Sequence, residues 1–175
     1  VRAQDRNVYQ ELFRLRQVMK TYEAIAGAPE TSALKPQFPL VHRSRMVKDA
    51  QFFRMRELPA SKCFQTIHYN SETWIDLIEL LEDNDSEAPT REIPKRALAR
   101  YTLKPVTGHR HQLRLHMSAL GLPMLSDQFY PFVRRSSMDE EDFKEPLQLL
   151  AKKIAFTDPL TGDKREFKSK LKLRY

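Results

Sequence analysis

The stretch TGHRHQLRLHMSALGLPMLSD, Thr107 to Asp127, gathers the side chains best equipped for chemistry. His109, Arg110, His111, Arg114 and His116 fall within eight residues, after which the chain turns apolar. Imidazoles ligate metals, move protons or, when charged, meet anions. Guanidiniums grip carboxylates and phosphates through paired N–H donors. A metal, an anion and a nucleic acid are therefore the three candidate partners. The metal reading is the weakest on spacing, because His111 and His116 lie five apart. Helical zinc pairs usually sit at i and i+4, and no cysteine is close in sequence. A satisfied structural role suits His116. Arg114, flanked by Leu113 and Leu115, is either a surface arginine or a buried one that requires a carboxylate.

These residues need an element to aim them. The spacing predicts a helix from about His109 to Leu120, with Thr107 near its N-cap and Gly121 as its stop. Leu113, Met117 and Leu120 form its apolar stripe. His109, Arg110 and His111 then fall on the first turn, where free backbone N–H groups already attract anions. Positive charge there opposes the helix dipole, so a bound phosphate or a buried carboxylate would remove the conflict.

Elsewhere, RNVYQELFRLRQ places Val8, Tyr9, Leu12 and Phe13 at helical spacing. VMKTYEAIA reads as a strand ended by GAPE, and PETSALKPQFP as a connection. FFRMREL, KCFQTIHYN and ALARYTLKPV read as strands, whereas TWIDLIELLED is ambiguous between strand and helix. NDSEAPTREIPK and RRSSMDEEDFKEP read as loops. The closing REFKSKLKLRY alternates, which predicts an edge strand with Phe167, Leu171, Leu173 and Tyr175 facing the core. Strands mixed with two or three helices predict one α+β domain with a mixed, largely antiparallel sheet.

Composition narrows the partner. The 175 residues suit one domain. A net charge of +7 favours a polyanion, although a soluble basic surface explains the charge equally well. None of the four glycines builds a phosphate loop of the Walker or dinucleotide type. The single cysteine, Cys63, rules out an internal disulfide and fits a reducing compartment. No apolar run reaches the roughly 20 residues of a membrane span. The expectation is a soluble cytoplasmic protein.

The His-Arg stretch resembles the RluA-type pseudouridine synthases. That family carries Gly-Arg-x-His-Gln-Ile/Leu-Arg-x-His, then Gly-x-Pro and Asp-x-x-Tyr. The match here is Gly108, His111, Gln112, Leu113, Arg114 and His116, then Gly121, Pro123, Asp127 and Tyr130. LFRLRQVMKTYEAIAG resembles the family's arginine-valine-lysine-tyrosine element, with Val18, Lys20 and Tyr22 in register. PLQLLAKKIAFTDPLTGDKREF resembles its closing block. Two departures stand out. His109 occupies the place of the family's first arginine, with Arg110 following. The Arg-Leu-Asp segment that carries the family's nucleophile upstream of the tyrosine element is not found, and Asp5 lacks the Arg-Leu before it.

The resemblance implies a pseudouridine synthase catalytic-domain fold truncated at its N-terminus, with residues 1–175 forming its C-terminal portion. It implies isomerisation of uridines in structured RNA, ribosomal ahead of transfer RNA, with no metal or organic cofactor. Tyr22 and Arg114 would be the catalytic residues, Arg114 as buried partner of an aspartate that this chain lacks. With that aspartate missing, Arg114 should be exposed, disordered or paired with a substitute anion. Lys20, His109, Arg110, His111 and Gln112 would contact RNA. No membrane and no obligate protein partner are implied. The rival reading is a non-catalytic RNA-binding module.

Overall fold

The computed structural model describes residues 2, 5–29, 37–49, 54–59, 68–81, 97–134 and 144–174. Their architecture is one antiparallel sheet with two helices and a small β-ribbon. The strands are β1 (Met19–Gly27), β2 (Leu40–Ser44), β3 (Met46–Lys48), β4 (Met55–Glu57), β5 (Ser71–Leu81), β6 (Leu98–Pro105), β7 (Leu149–Thr157) and β8 (Lys164–Lys168). The helices are α1 (Arg6–Arg14) and α2 (Gln112–Ala119). Six strands pair in the order β2-β5-β6-β1-β7-β8, and β3 pairs only with β4. Every strand pairing among the described residues is antiparallel, so no parallel strand mixes in.

The core follows from period-two patterning on the central strands. On β6, Ala99, Tyr101 and Leu103 alternate inward and are fully buried. Ala24 and Ala26 of β1 and Ile75 of β5 complete the floor, and Leu113 and Met117 of α2 close over it. Burying each of the larger side chains, such as Ile75, Leu103, Leu113 and Met117, contributes roughly 1.5–3 kcal/mol. The Tyr101 hydroxyl, deep in this layer, donates to the Gly27 carbonyl at 2.7 Å. Leu115, on another side of α2, packs with Met46, Met55 and Tyr130 over the β3–β4 ribbon. Thus α2 is gripped on two faces, which fixes the residues it carries.

Several expectations change. The ambiguous TWIDLIELLED lies in strand β5 as far as Leu81, its last two residues falling outside the described ones, with a bulge between Leu77 and Glu79. The run before it, KCFQTIHYN, lies mostly outside the described residues, as do NDSEAPTREIPK and most of RRSSMDEEDFKEP. Helix α1 buries only Leu12 of its expected stripe; Val8 and Phe13 are exposed. Tyr9 meets Phe156 edge-on at 6.4 Å and donates to Asp158 at 3.0 Å.

The C-terminal strand ends at Lys168, with every residue of β8 exposed. Phe167 and Leu171 are exposed rather than core-facing, because β8 pairs only with β7 at the sheet edge. Leu173 is half-buried, and Tyr175 lies outside the described residues.

Candidate nucleic-acid interface and buried ion pair

Helix α2 begins at Gln112, three residues later than the spacing predicts. His111 is its N-cap in the left-handed region (φ 53°), without a side-chain cap. His109 and Arg110 therefore sit in the loop before the helix and not on its first turn. Thr107 does not cap the helix either. Its hydroxyl donates to Gln112 Oε1 at 2.7 Å and accepts the Glu72 backbone N–H at 2.9 Å.

Gln112 is a strut. Its Oε1 also accepts the His109 backbone N–H at 3.0 Å. Its Nε2 donates to the Glu72 carbonyl and to Thr73 Oγ1, both at 2.9 Å. Only 4% of Gln112 is exposed. Buried amides must satisfy both ends, and this one does. It holds the 107–111 loop against β5, with both ends of its amide bonded inside the protein.

That loop forms one wall of a cleft of about 270 Å3. Lys20, Gly108 and His109 line it together with Arg14, Arg16 and Phe13. Lys20 Nζ reaches the Thr107 carbonyl at 3.5 Å, so the start of β1 and the loop before α2 face each other. Partial burial, and then the Arg16 guanidinium, pull the Lys20 ammonium below its ordinary pKa. Arg14 is paired with Glu11 one turn back. No carboxylate pairs with Arg16 or Lys20 among the described residues. Such crowded like charge is destabilising unless an anion enters.

Arg16 itself adopts φ 58° at the end of α1. The Gln17 N–H bonds back to the Leu12 carbonyl at 2.8 Å, closing the helix around Arg16 where glycine is the usual residue. A non-glycine residue held there at the lip of a basic cleft is a functional hint.

Arg114 is not exposed, disordered or waiting for a substitute anion. Its Nε and Nη2 bond both oxygens of Asp127, at 2.8 and 2.5 Å. The two side chains are 13% and 1% exposed. Asp127 Oδ1 also accepts the backbone N–H groups of Phe129 and Tyr130, at 2.8 and 3.0 Å. The guanidinium lies 4.9 Å from the Phe129 ring centroid and 5.4 Å from that of Tyr130. Asp127 is supplied by the tight turn after α2, and its pairing with Arg114 was not apparent from the helix alone.

The histidines divide. His109 is exposed in the cleft, and its Nε2 donates to the Asn70 carbonyl at 2.7 Å. Arg110 is also exposed. His111 stacks on Phe129 at 5.9 Å and approaches the Tyr130 hydroxyl at 3.3 Å. Burial, then Arg114 and Arg110, lower its pKa, so it is a poor source of positive charge. His116 is fully buried, and burial, then His42, lowers it from 6.5 to about 4. Tyr22 stands on β1, half-buried against the main core. The cleft thus gathers Lys20 and His109 from the expected set; Tyr22, Arg110, His111, Gln112 and Arg114 are not among its lining residues. Arg16 was missed, since nothing in the sequence marks a left-handed arginine.

Comparison with known proteins places this geometry in a class. The fold matches the human RNA pseudouridylate synthase domain containing 1, with a TM-score of 0.65 over 97% of this chain and 61% of that one, at 20% identity. The human domain containing 4 matches with a TM-score of 0.60 over 97% and 64%, at 21% identity. The family model for RNA pseudouridylate synthase matches residues 3–119. The chain belongs to that family.

Among curated relatives, the dual-specificity RNA pseudouridine synthase RluA of Salmonella typhi is 46% identical over 70 residues, 40% of this chain and 30% of that protein. The Haemophilus influenzae RluA is 44% identical over 71 residues, 41% and 30% respectively. The matches thus span about a third of the length of those relatives.

Proposed function

We propose that this chain carries the RNA-gripping and arginine-bearing portion, as one domain, of an enzyme that isomerises uridine to pseudouridine. The observation that carries the proposal is the closure of the two family-like segments on one another. The Lys20 strand and the Gly108–His109 loop meet at one basic cleft, and the Arg114 helix leaves from that loop. An RNA phosphate would meet Arg16, Lys20, His109 and Arg110. The flipped uridine that such chemistry requires would stack towards Tyr22.

Arg114 Nη1 makes no hydrogen bond among the described residues. That donor could orient a nucleophilic carboxylate while Asp127 fixes the rest of the guanidinium. Glycosidic cleavage and carbon–carbon rejoining need no redox or metal step from these residues. Ribosomal RNA is the first substrate to test and transfer RNA the second, in the cytoplasm. No helix among the described residues is long and apolar enough to cross a membrane.

Because this sequence lacks the Arg-Leu-Asp segment, the 175-residue chain should bind RNA without turnover. Tritium release from tritiated-uridine RNA should stay at background. A filter-binding titration should show log K falling against log salt with a slope near −3 if about four phosphates are neutralised. Lys20→Ala should make that slope shallower by about 0.7. A flat salt response would remove the cleft from RNA recognition, and tritium release would show that the nucleophile lies within this chain. A binding module with no catalytic descent fits the same binding data. The enzyme reading is preferred for the buried, oriented Arg114, which binding alone does not require.

A further inference from the structure

A second cluster lies on the other flank of α2 and takes no part in the cleft. His42 of β2, Glu57 of β4 and His116 of α2 each bring a ligand atom within 4.8 Å of the others. We infer that His42, Glu57 and His116 form a binding site for a zinc ion.

Two serine hydroxyls surround one nitrogen of the buried His116 ring. Ser71 Oγ donates to the Ser44 carbonyl at 2.8 Å. Ser44 Oγ lies 2.9 Å from Ser71 Oγ, and either hydroxyl can supply the proton between them. His116 Nε2 lies 3.2 Å from Ser44 Oγ and 3.0 Å from Ser71 Oγ. The two hydroxyls therefore satisfy Nε2 in either tautomer of the ring. The other ring nitrogen, Nδ1, is buried and has no partner among the described residues. A buried polar nitrogen without a partner is unusual in a folded protein. An imidazole whose other N–H is held by oxygen is the tautomer that ligates metals.

The donor set agrees. Two imidazoles and one carboxylate, with a fourth position open to water, suit Zn2+ and not Mg2+, which demands oxygen ligands. His42 Nε2 and Glu57 Oε1 are already 2.9 Å apart. Bonds of about 2.0–2.1 Å place zinc ligands about 3.4 Å from one another, so the widest pair needs to close by about 1.4 Å. The His42 and Glu57 side chains, 18% and 22% exposed, provide the entry, and His116 is the buried floor. The ion would clip β2 and the β3–β4 ribbon to α2. Sequence spacing missed this because the three ligands come from three separate elements. The inference is independent of the RNA reading of the cleft.

The test uses the full chain stripped with chelator. Zinc titrated calorimetrically should bind at one ion per chain and raise the melting temperature, while Mg2+ should do neither. Co2+ in its place should give the intense visible bands of four-coordinate cobalt. His42→Ala and Glu57→Gln should each weaken zinc binding at least tenfold, whereas His68→Ala, at an exposed histidine outside the cluster, should leave it unchanged. Affinity unchanged from the unsubstituted chain in either ligand variant, or no saturable uptake by the folded chain, would overturn the site. Should either variant fail to fold, the cobalt spectrum of the unsubstituted protein decides, and six-coordinate bands alone would reject it.

Discussion

Asp127 shows what a single carboxylate can organise. It collects two N–H groups from Arg114 and two from the backbone of the following turn, and it is 1% exposed. Leu113 and Leu115 beside Arg114 leave two readings open in the sequence, a surface arginine or a buried one that needs an anion. They do not say which one. The partner lies 13 positions on, beyond the helix and after Ser126 in the left-handed region, a contact that helical periodicity cannot show. Removing the arginine strands the aspartate. Arg114→Met should therefore cost about 3–5 kcal/mol, the usual penalty for leaving one member of a buried pair unpaired. Urea unfolding of the chain measures it. An unchanged midpoint would show that the pair does not form in solution.

At the scale of elements, α1 and α2 end in the same hydrogen-bonded motif with different residues at its left-handed position. In α2 the residue is Gly121 (φ 75°), with Leu122 N–H bonded to the Met117 carbonyl at 3.0 Å. In α1 it is Arg16. Gly121 was readable as a stop because glycine tolerates that conformation; Arg16 was not, because arginine gives no such signal. Strands were readable where alternation met a buried face, as on β6. The edge strand β8 was readable too, but not the exposure of its apolar residues, because alternation persists there where no layer covers the strand. Replacing Arg16 with glycine relieves strain worth about 1 kcal/mol and removes a cleft charge. Arg16→Gly should thus unfold at higher urea yet bind RNA more weakly. A variant that gained stability with undiminished affinity would make Arg16 a structural accident.

The whole molecule carries +7, and composition alone could not say whether that charge has a focus. Ion pairs spread over the surface, such as Arg43–Glu72, Arg100–Glu79 and Lys153–Glu166, absorb part of it locally. The cleft retains Arg16 and Lys20 facing each other's field, with Lys20 displaced to a lower pKa by burial and by Arg16. A depressed lysine favours its neutral form in the folded chain, so it releases its proton before an ordinary lysine does as pH rises. RNA binding prefers the charged form, and the two are therefore linked. Affinity should begin to fall at a pH below the usual lysine value of 10.5, with proton uptake accompanying binding in that window. Lys20→Arg keeps the charge and cannot titrate there, so its affinity should stay level across the same range. Brief binding measurements in metal-free buffer from neutral pH upward would compare the two proteins. If both lose affinity in parallel, the alkaline loss belongs to other groups, and Lys20 is not the cation that RNA meets in the cleft.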